Sequence, residues 1–250
     1  MRRLLFWIIP VVFALAGIAI FGSGFTSFVT GNTGEPVDFA PKNTTRVVLP
    51  KRIAPVILGD SLARGMGDET GLGIAGRLDE ELKKRNAAAQ KTTNLAINGA
   101  RTADLLRQLQ SDNVKRILSE SNVVVISIGG NDLWGDNNWQ NAPPDPEAVM
   151  NSVLAHVADI VEIVRKQNAT SRIFIVGLYN PFRGSPMGNM LSPLVTRWNS
   201  RVMERFASDP NFTVIQTADL FSHRDRLSLD RFHPSGEAYG LIARRIADGL

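Results

Sequence analysis

The stretch Val56-Ile57-Leu58-Gly59-Asp60-Ser61-Leu62 decides the fold. Its short apolar run is typical of a buried strand, and that strand ends at Gly59. An acid, a hydroxyl and a Gly-rich segment follow, and then the apolar residues Ile74, Leu78 and Leu82 recur at helical spacing. A residue at the carboxyl end of a strand lies where open α/β sheets bind their ligands. The stretch therefore predicts a strand–turn–helix unit and makes Ser61 a candidate nucleophile.

Apolar runs and helical patterns alternate along the rest of the chain, which is typical of a parallel sheet with crossover helices. Helices are expected over about Pro146 to Lys166, from near Ser192, and from Pro234-Ser235 to the C-terminus. Strands are predicted at Val56–Leu58, Thr93–Ile97, Val123–Ile128, Arg172–Leu178 and Phe212–Gln216. We therefore expect one α/β domain at residues 52–250, built on a five-stranded parallel sheet.

The composition excludes several classes of function. The chain has 250 residues with 28 basic and 24 acidic side chains, and two of the basic ones, Arg2 and Arg3, precede the first apolar run. This balance is too even for a nucleic-acid groove, so no nucleic-acid partner is expected. The sequence contains no cysteine, which excludes disulfides, thiolate metal sites and a cysteine nucleophile.

The N-terminal run Leu4–Phe21 carries no charged residue. These 18 positions would reach roughly 27 Å as a helix at ~1.5 Å per residue, close to the hydrocarbon thickness of a bilayer. We therefore predict a single-pass membrane anchor at residues 1–22, with the basic pair cytoplasmic, and an extracytoplasmic linker at residues 23–51. The alternative is a signal peptide cleaved near Ala14-Leu15-Ala16, which would leave a secreted protein.

Polar residues follow four of the predicted strands at their carboxyl ends, where a parallel sheet brings them together. Ser61 follows the first strand, Gly99 the second and Asn131 the third, while Asp230 and His233 come after the fifth. Ser61 would attack a carbonyl carbon, His233 would take its proton, and Asp230 would fix the imidazole tautomer. The oxyanion would be held by the backbone N–H groups of Ser61 and Gly99 and by the Asn131 amide.

Four sequence blocks resemble those of the SGNH/GDSL hydrolase family, in the family's order and over about residues 53–250. They are Gly59-Asp60-Ser61-Leu62, Asn98-Gly99, Gly129-Gly130-Asn131-Asp132 and Asp230-Arg231-Phe232-His233-Pro234. The resemblance implies a flavodoxin-like three-layer α/β/α sandwich and a serine nucleophile that needs no metal or cofactor. It also implies the same roles for the five residues named above. Bacterial lysophospholipase-like esterases are the most similar subgroup, and Asn180-Pro181 after the fourth strand fits them.

Several local motifs have alternative interpretations. Gly59 to Ala63 approximates the nucleophile elbow of an α/β-hydrolase, but that elbow ends in Gly and does not lie on the first strand. The segment Gly71 to Gly76 matches a dinucleotide-binding fingerprint, yet it does not directly follow a strand. Asp60 is expected to hydrogen-bond its own turn, and His156 to be structural. His223 is the rival base, without an acid three residues before it.

The predicted function is that of an extracytoplasmic serine esterase that acts through an acyl-serine intermediate. Lysophospholipid or lipid esters suit a site near a membrane, and an acetylesterase acting on cell-envelope carbohydrate suits the same compartment. A non-catalytic anchored binding module is the alternative from another class. Trp134, Asn180 and Met187 are the candidate substrate-binding residues, and the loops Trp134–Pro146 and Phe182–Leu191 are expected to shape the acyl or sugar site. The sequence does not determine the oligomeric state.

Overall fold

The computed structural model of the chain describes residues 2–29, 52–85, 87–134, 145–222 and 224–250. The chain forms two compact units, Met1–Val47 and Val48–Leu250. In the first unit, the described residues form helix α1 (Arg2–Val29), and its described side chains, those of residues 13–26, are all exposed. Among the residues described, no helix has both the length and the apolar character needed to cross a membrane.

The second unit is built on a five-stranded sheet in which every pairing is parallel. Its strands lie in the order β2-β1-β3-β4-β5, which is the flavodoxin-like arrangement. The strands are β1 (Pro55–Gly59), β2 (Thr93–Asn94), β3 (Val123–Ser127), β4 (Arg172–Val176) and β5 (Phe212–Ile215). All residues of the central pair, β1 and β3, are buried, as expected for strands covered on both faces. The predicted α/β fold with a five-stranded parallel sheet is confirmed.

Helices cover both faces of this sheet and make the sandwich three-layered. Side chains alternate along β1: Ile57 packs into one core with α3 and α9, while Val56 and Leu58 pack into a second core with α4, α5, α7 and α8. The helices of this unit are α2 (Ser61–Arg64), α3 (Gly73–Lys84), α4 (Thr102–Gln108), α5 (Asp112–Glu120), α6 (Gly130–Trp134), α7 (Pro146–Gln167), α8 (Pro186–Arg205) and α9 (Gly236–Asp248). Short 3₁₀ turns lie at Leu220–Ser222 and Arg224–Arg226.

Two element boundaries differ from the sequence-based prediction. Strand β2 ends at Asn94 instead of Ile97. The Leu95 and Ile97 N–H groups still donate to the Ile57 and Gly59 carbonyls, each at 2.9 Å, but the Leu95 carbonyl accepts from the Gln108 Nε2 at 2.7 Å and not from β1. Helix α8 begins at Pro186, well before Ser192, because the Ser185 hydroxyl accepts the Gly188 N–H at 3.1 Å and caps the helix there.

The turn after β1 requires a residue without a side chain. Gly59 has a φ of +132°, and a Cβ at this position would lie 1.8 Å from the Ser127 carbonyl oxygen of β3. The chain then bends sharply, since the Asp60 N–H donates to that same carbonyl at 3.0 Å. Gly59 therefore lets the polypeptide cross the end of β3 closely, and this fixes where Ser61 begins helix α2.

Candidate active site

Ser61, His233 and Asp230 form one line of hydrogen bonds at the carboxyl edge of the sheet. The Ser61 Oγ lies 2.9 Å from the His233 Nε2, and the His233 Nδ1 lies 2.7 Å from the Asp230 Oδ2. Because a carboxylate only accepts hydrogen bonds, Nδ1 carries the proton in the neutral ring and Nε2 is left to accept from Ser61. This is the arrangement in which an imidazole can remove a serine proton.

Asp230 is held as a charged group by the loop around it. Its Oδ1 accepts hydrogen bonds from the Ser228 Oγ at 2.7 Å and from the backbone N–H groups of Phe232 and His233, each at 2.8 Å. Partial burial acts to raise the pKa of Asp230, but these bonds and the one from the His233 ring outweigh it. The pKa of Asp230 therefore lies well below its ordinary value, and the carboxyl group is ionised at neutral pH.

The loop that carries His233 is fixed from several sides. The Ser228 N–H donates to the His233 carbonyl at 2.8 Å, and the Tyr179 hydroxyl donates to the Phe232 carbonyl at 2.7 Å. Gly67 lies directly beneath the loop, where a Cβ would come within 2.7 Å of the His233 Cβ. The imidazole is thus positioned by contacts with two other parts of the chain.

Ser61 begins the short helix α2, and Asp60 caps that helix. The Asp60 Oδ1 accepts from the Leu62 N–H at 3.1 Å, the Ala63 N–H at 3.4 Å and the Ser127 Oγ at 3.2 Å. Burial raises the pKa of Asp60 to about 7, against the opposing effect of these hydrogen bonds. The prediction that Asp60 hydrogen-bonds its own turn is confirmed.

The three predicted oxyanion donors line one cavity together with the Ser61–His233–Asp230 line. Asn131 donates through its Nδ2 to the Ala100 carbonyl at 2.9 Å, which leaves the second hydrogen of this amide for a ligand. Gly99 has a φ of +75° and an exposed backbone. The structure thus brings all five residues predicted to do the chemistry to one cavity. Their catalytic roles remain predictions.

The cavity has a volume of about 820 Å³, and apolar side chains form much of its wall. Phe182 and Phe232 face each other across 6.2 Å, and the His233 ring meets the Phe232 ring edge-on at 4.9 Å. The remaining described lining residues are Pro181, Ser185, Leu227 and Arg231. In the described part of the chain, no three His, Cys, Asp or Glu side chains are grouped as the ligands of a metal would be.

Comparisons with known proteins show the family of this chain. The model of the GDSL-like lipase/acylhydrolase family matches residues 57–241. The chain belongs to this family. It is 26% identical to YpmR of Bacillus subtilis (strain 168) over 94% of both chains, and 26% identical to the spore germination lipase LipC of Bacillus licheniformis over 76% of this chain and 92% of LipC. A solved structure of the lipase Lip_vut3 from a goat rumen metagenome is similar in fold, with a TM-score of 0.65 and 21% identity over 78% of this chain and 96% of that one.

Membership of the GDSL family makes this chain a serine ester hydrolase of the esterase/lipase type. The predicted family resemblance is therefore confirmed. The matched region includes Ser61 and the Asp230–His233 loop, so the line of hydrogen bonds described above lies inside it.

Two of the three predicted substrate-binding residues, Asn180 and Met187, are not among the described residues that line the 820 Å³ cavity. Asn180 donates to the Gly188 carbonyl at 2.7 Å and to the Ser192 Oγ at 2.8 Å, and its side chain lines a separate cavity of about 550 Å³. Asn180 thereby holds the loop that leads into α8. Met187 is half-buried and is absent from the described lining of the 820 Å³ cavity. The Trp134 side chain, residues 135–144 and His223 lie outside the described part of the chain.

Ser228 was not recognised from the sequence as a contributor to the site, whereas Phe182 begins the loop Phe182–Leu191 that was expected to shape it. Ser228 bonds the carboxylate that orients His233, and Phe182 and Phe232 form the cavity wall. Phe232 lies between Asp230 and His233, so its place beside the base could have been anticipated. Phe182 and Ser228 lie in segments without a regular pattern, and their contacts depend on how the loops fold.

Proposed function

We propose that this GDSL hydrolase cleaves acyl esters through an acyl-serine intermediate. The Ser61 Oγ forms a bond to the carbonyl carbon while the His233 Nε2 takes its proton, and Asp230 stabilises the imidazolium that results. The Ser61 and Gly99 N–H groups and the Asn131 amide stabilise the oxyanion. His233 then protonates the leaving alcohol, and a water molecule releases the acyl group by the same steps in reverse order.

The observation that carries this proposal is the unbroken hydrogen-bond line from Ser61 to Asp230 in a cavity that Gly99 and Asn131 also line. A module that only binds has no use for a base aligned on a hydroxyl group. The pKa of Asp230, held below its ordinary value, supports the same conclusion, because an ionised carboxylate stabilises the imidazolium.

We further propose that the substrates are lipid esters of the lysophospholipid kind. The walls of Pro181, Phe182, Leu227 and Phe232 suit an acyl chain, and Arg231 supplies a cation at the same cavity for an anionic head group. The name of one similar protein, the spore germination lipase LipC, supports lipid esters as the broader substrate class.

An extracytoplasmic location is part of the proposal. It rests on the uncharged run Leu4–Phe21 after Arg2-Arg3, with the catalytic unit downstream, either anchored or secreted after cleavage. Expression of the full chain in a bacterial host, followed by protease treatment of intact cells, tests it. Degradation of the catalytic unit in intact cells supports the proposal, and protection until lysis contradicts it.

The activity is tested with the purified full-length chain in detergent. Nitrophenyl esters of increasing chain length, a lysophospholipid and an acetylated glycan are compared as substrates, and a fluorophosphonate probe reports on the serine. We expect labelling of the wild type, none of Ser61→Ala, and turnover that favours the lysophospholipid. Activity on the glycan alone would contradict lipid esters as substrates and favour acetylated carbohydrate. An unlabelled wild type would contradict the serine mechanism.

A further inference from the structure

Two of the oxyanion donors lie on different loops, after two strands that β1 separates in the sheet. Gly99 follows β2, which contains only two residues at the edge of the sheet, and Asn131 follows β3 at its centre. An oxyanion hole works only when its donors lie about 2.7–3.1 Å from the developing charge. Backbone hydrogen bonds hold the segment before Gly99 to β1 as far as Ile97, whose N–H donates to the Gly59 carbonyl at 2.9 Å. Gly99 lies two residues beyond that bond, so its distance from Asn131 also depends on contacts outside the strands.

The structure contains such a connection, directly behind the two donors. Asp132 follows Asn131, and its carboxylate accepts the Thr102 N–H at 3.0 Å through Oδ2 and at 3.2 Å through Oδ1. The Thr102 Oγ1 lies 2.5 Å from the same Oδ1. Thr102 is fully buried and begins helix α4, three residues after Gly99. With the bond from Asn131 to the Ala100 carbonyl, both loops are tied together on either side of the oxyanion donors.

His156 extends this connection to helix α7, which packs against both α4 and α6. Its Nδ1 lies 2.9 Å from the Thr102 Oγ1. The hydroxyl group has a single proton, and the Asp132 carboxylate can only accept it, so the His156 Nδ1 must be the donor to the hydroxyl oxygen. Each polar group in the series His156–Thr102–Asp132 then has a defined partner, which fixes the Thr102 hydroxyl in one orientation.

We propose that Thr102, Asp132 and His156 are positioning residues that set the geometry of the oxyanion hole. They do not touch the substrate. They hold the Gly99 N–H and the Asn131 amide at the separation that the oxyanion needs. This inference rests on the proposed acyl-transfer function and adds three residues to the machinery that supports it.

The test compares two threonines in the full-length chain. Thr102→Val keeps the shape and the N–H group but removes the hydroxyl, while Thr102→Ser keeps the hydroxyl. Thr170 provides the matched control, because its N–H and Oγ1 also both donate to one side chain, that of Asn168, at 3.2 and 3.1 Å. Thr170 is exposed and precedes β4, at the opposite edge of the sheet from the site.

We expect Thr102→Val to lower kcat about 10- to 100-fold, with KM changed less than about threefold, since the oxyanion exists only after binding. The inhibition constant of phenylboronic acid, whose tetrahedral serine adduct occupies the oxyanion hole, should rise by a similar factor. Thr102→Ser should stay within about threefold of wild type in kcat, and Thr170→Val should match the wild type. A folded Thr102→Val enzyme with unchanged kcat and unchanged boronic acid inhibition would overturn the proposal.

A second variant decides the matter if Thr102→Val does not fold. His156→Leu removes the donor to the hydroxyl from a half-buried position, so the core around Thr102 is kept. A fall in kcat of about threefold or more at constant KM supports the positioning role, and wild-type kinetics would overturn it. Failure of the proposed function itself is distinguishable, because the wild type would then show neither turnover nor fluorophosphonate labelling.

Discussion

The turn after β1 and the loop before α9 each bring an aspartate and a catalytic side chain to the site, and they do so in opposite ways. The turn holds Asp60 in the interior, with three donors all directed to one oxygen. The loop holds Asp230 at the surface, where 44% of its side chain is exposed, with donors on both oxygens. The pKa of Asp60 is raised to about 7 by burial, whereas the pKa of Asp230 is lowered. The balance between burial, which raises the pKa, and accepted hydrogen bonds, which lower it, therefore decides which of the two aspartates is charged at neutral pH.

The largest effect is expected from removing the base that the loop carries. His233→Ala should lower kcat about 10⁵-fold, because it removes the imidazole nitrogen that lies 2.9 Å from the Ser61 Oγ and takes its proton. The melting temperature should change little, since the ring lies at the cavity wall. Ester turnover, circular dichroism and fluorophosphonate labelling measure this. Loss of the folded state instead would give His233 a structural role.

Asp230→Asn tests the loop side of the comparison. The new amide has two orientations: its NH₂ group points either toward the His233 Nδ1–H or toward the three groups that donate to Oδ1. Either orientation places one hydrogen-bond donor against another. We expect kcat to fall about 10³- to 10⁴-fold because the imidazole tautomer is no longer fixed. Steady-state kinetics at neutral pH measure the loss. A change of less than tenfold would mean that Asp230 does not orient the base.

Gly67→Ala tests the contact between the loop and the region after β1. The new Cβ would lie 2.7 Å from the His233 Cβ and 2.8 Å from the Pro234 carbonyl oxygen, so the loop must shift. We expect kcat to fall about tenfold or more, since a displacement of ~1 Å at a catalytic group can cost up to 10²-fold.

Gly71→Ala is the matched control for this substitution. Gly71 has a φ of +71°, compared with +90° at Gly67, but a Cβ there meets nothing within 4 Å. Both variants therefore strain the backbone, by about 1 kcal/mol, while only Gly67→Ala moves His233. Thermal melting and kcat are measured for both. Equal kcat values for Gly67→Ala and Gly71→Ala would show that the contact at Gly67 does not determine the position of His233.

Asp60→Asn should have the smallest effect on activity, within about threefold in kcat, because an amide oxygen in place of Oδ1 can accept the same three hydrogen bonds. Its effect lies in the dependence of stability on pH. The pKa of Asp60 rises from 3.8 unfolded to about 7 folded, so the folded state binds more protons between these values. This group therefore makes the protein less stable as pH rises from about 4 to 7.

Thermal melting between pH 4 and pH 8 measures this contribution. As pH rises, the melting temperature of the wild type should fall relative to that of Asp60→Asn, so the plot of melting temperature against pH should be flatter for the variant. The Asp230 contribution has the opposite sign: its lowered pKa gives stability that is present above 3.8 and is lost at lower pH. Parallel pH profiles of the wild type and Asp60→Asn would show that Asp60 is not buried as a titrating group.

The sequence predicted strands best where the apolar run is continuous, as in Val123–Ser127, because a short run rich in β-branched residues is typical of a strand buried on both faces. It predicted the edge strand β2 too long, because the Leu95 carbonyl bonds the Gln108 side chain, a partner that the local sequence pattern does not encode. It placed the start of α8 at the wrong one of two Ser-Pro pairs. Both pairs carry the same local signal, and the loop held by Asn180 determines which one caps the helix.

The sequence by itself determined which chemical groups the site contains and which strand each of them follows, because the residue types after each strand are read directly from the chain. Only the tertiary structure decided that Asp60 is buried against Ser127, that Ser228 completes the shell of Asp230, and that Asp132 reaches Thr102. Asp60 and Asp132 lie 67 and 30 positions from those partners. Burial and hydrogen-bond distance between residues so far apart arise from the packing of whole elements, which no local pattern encodes.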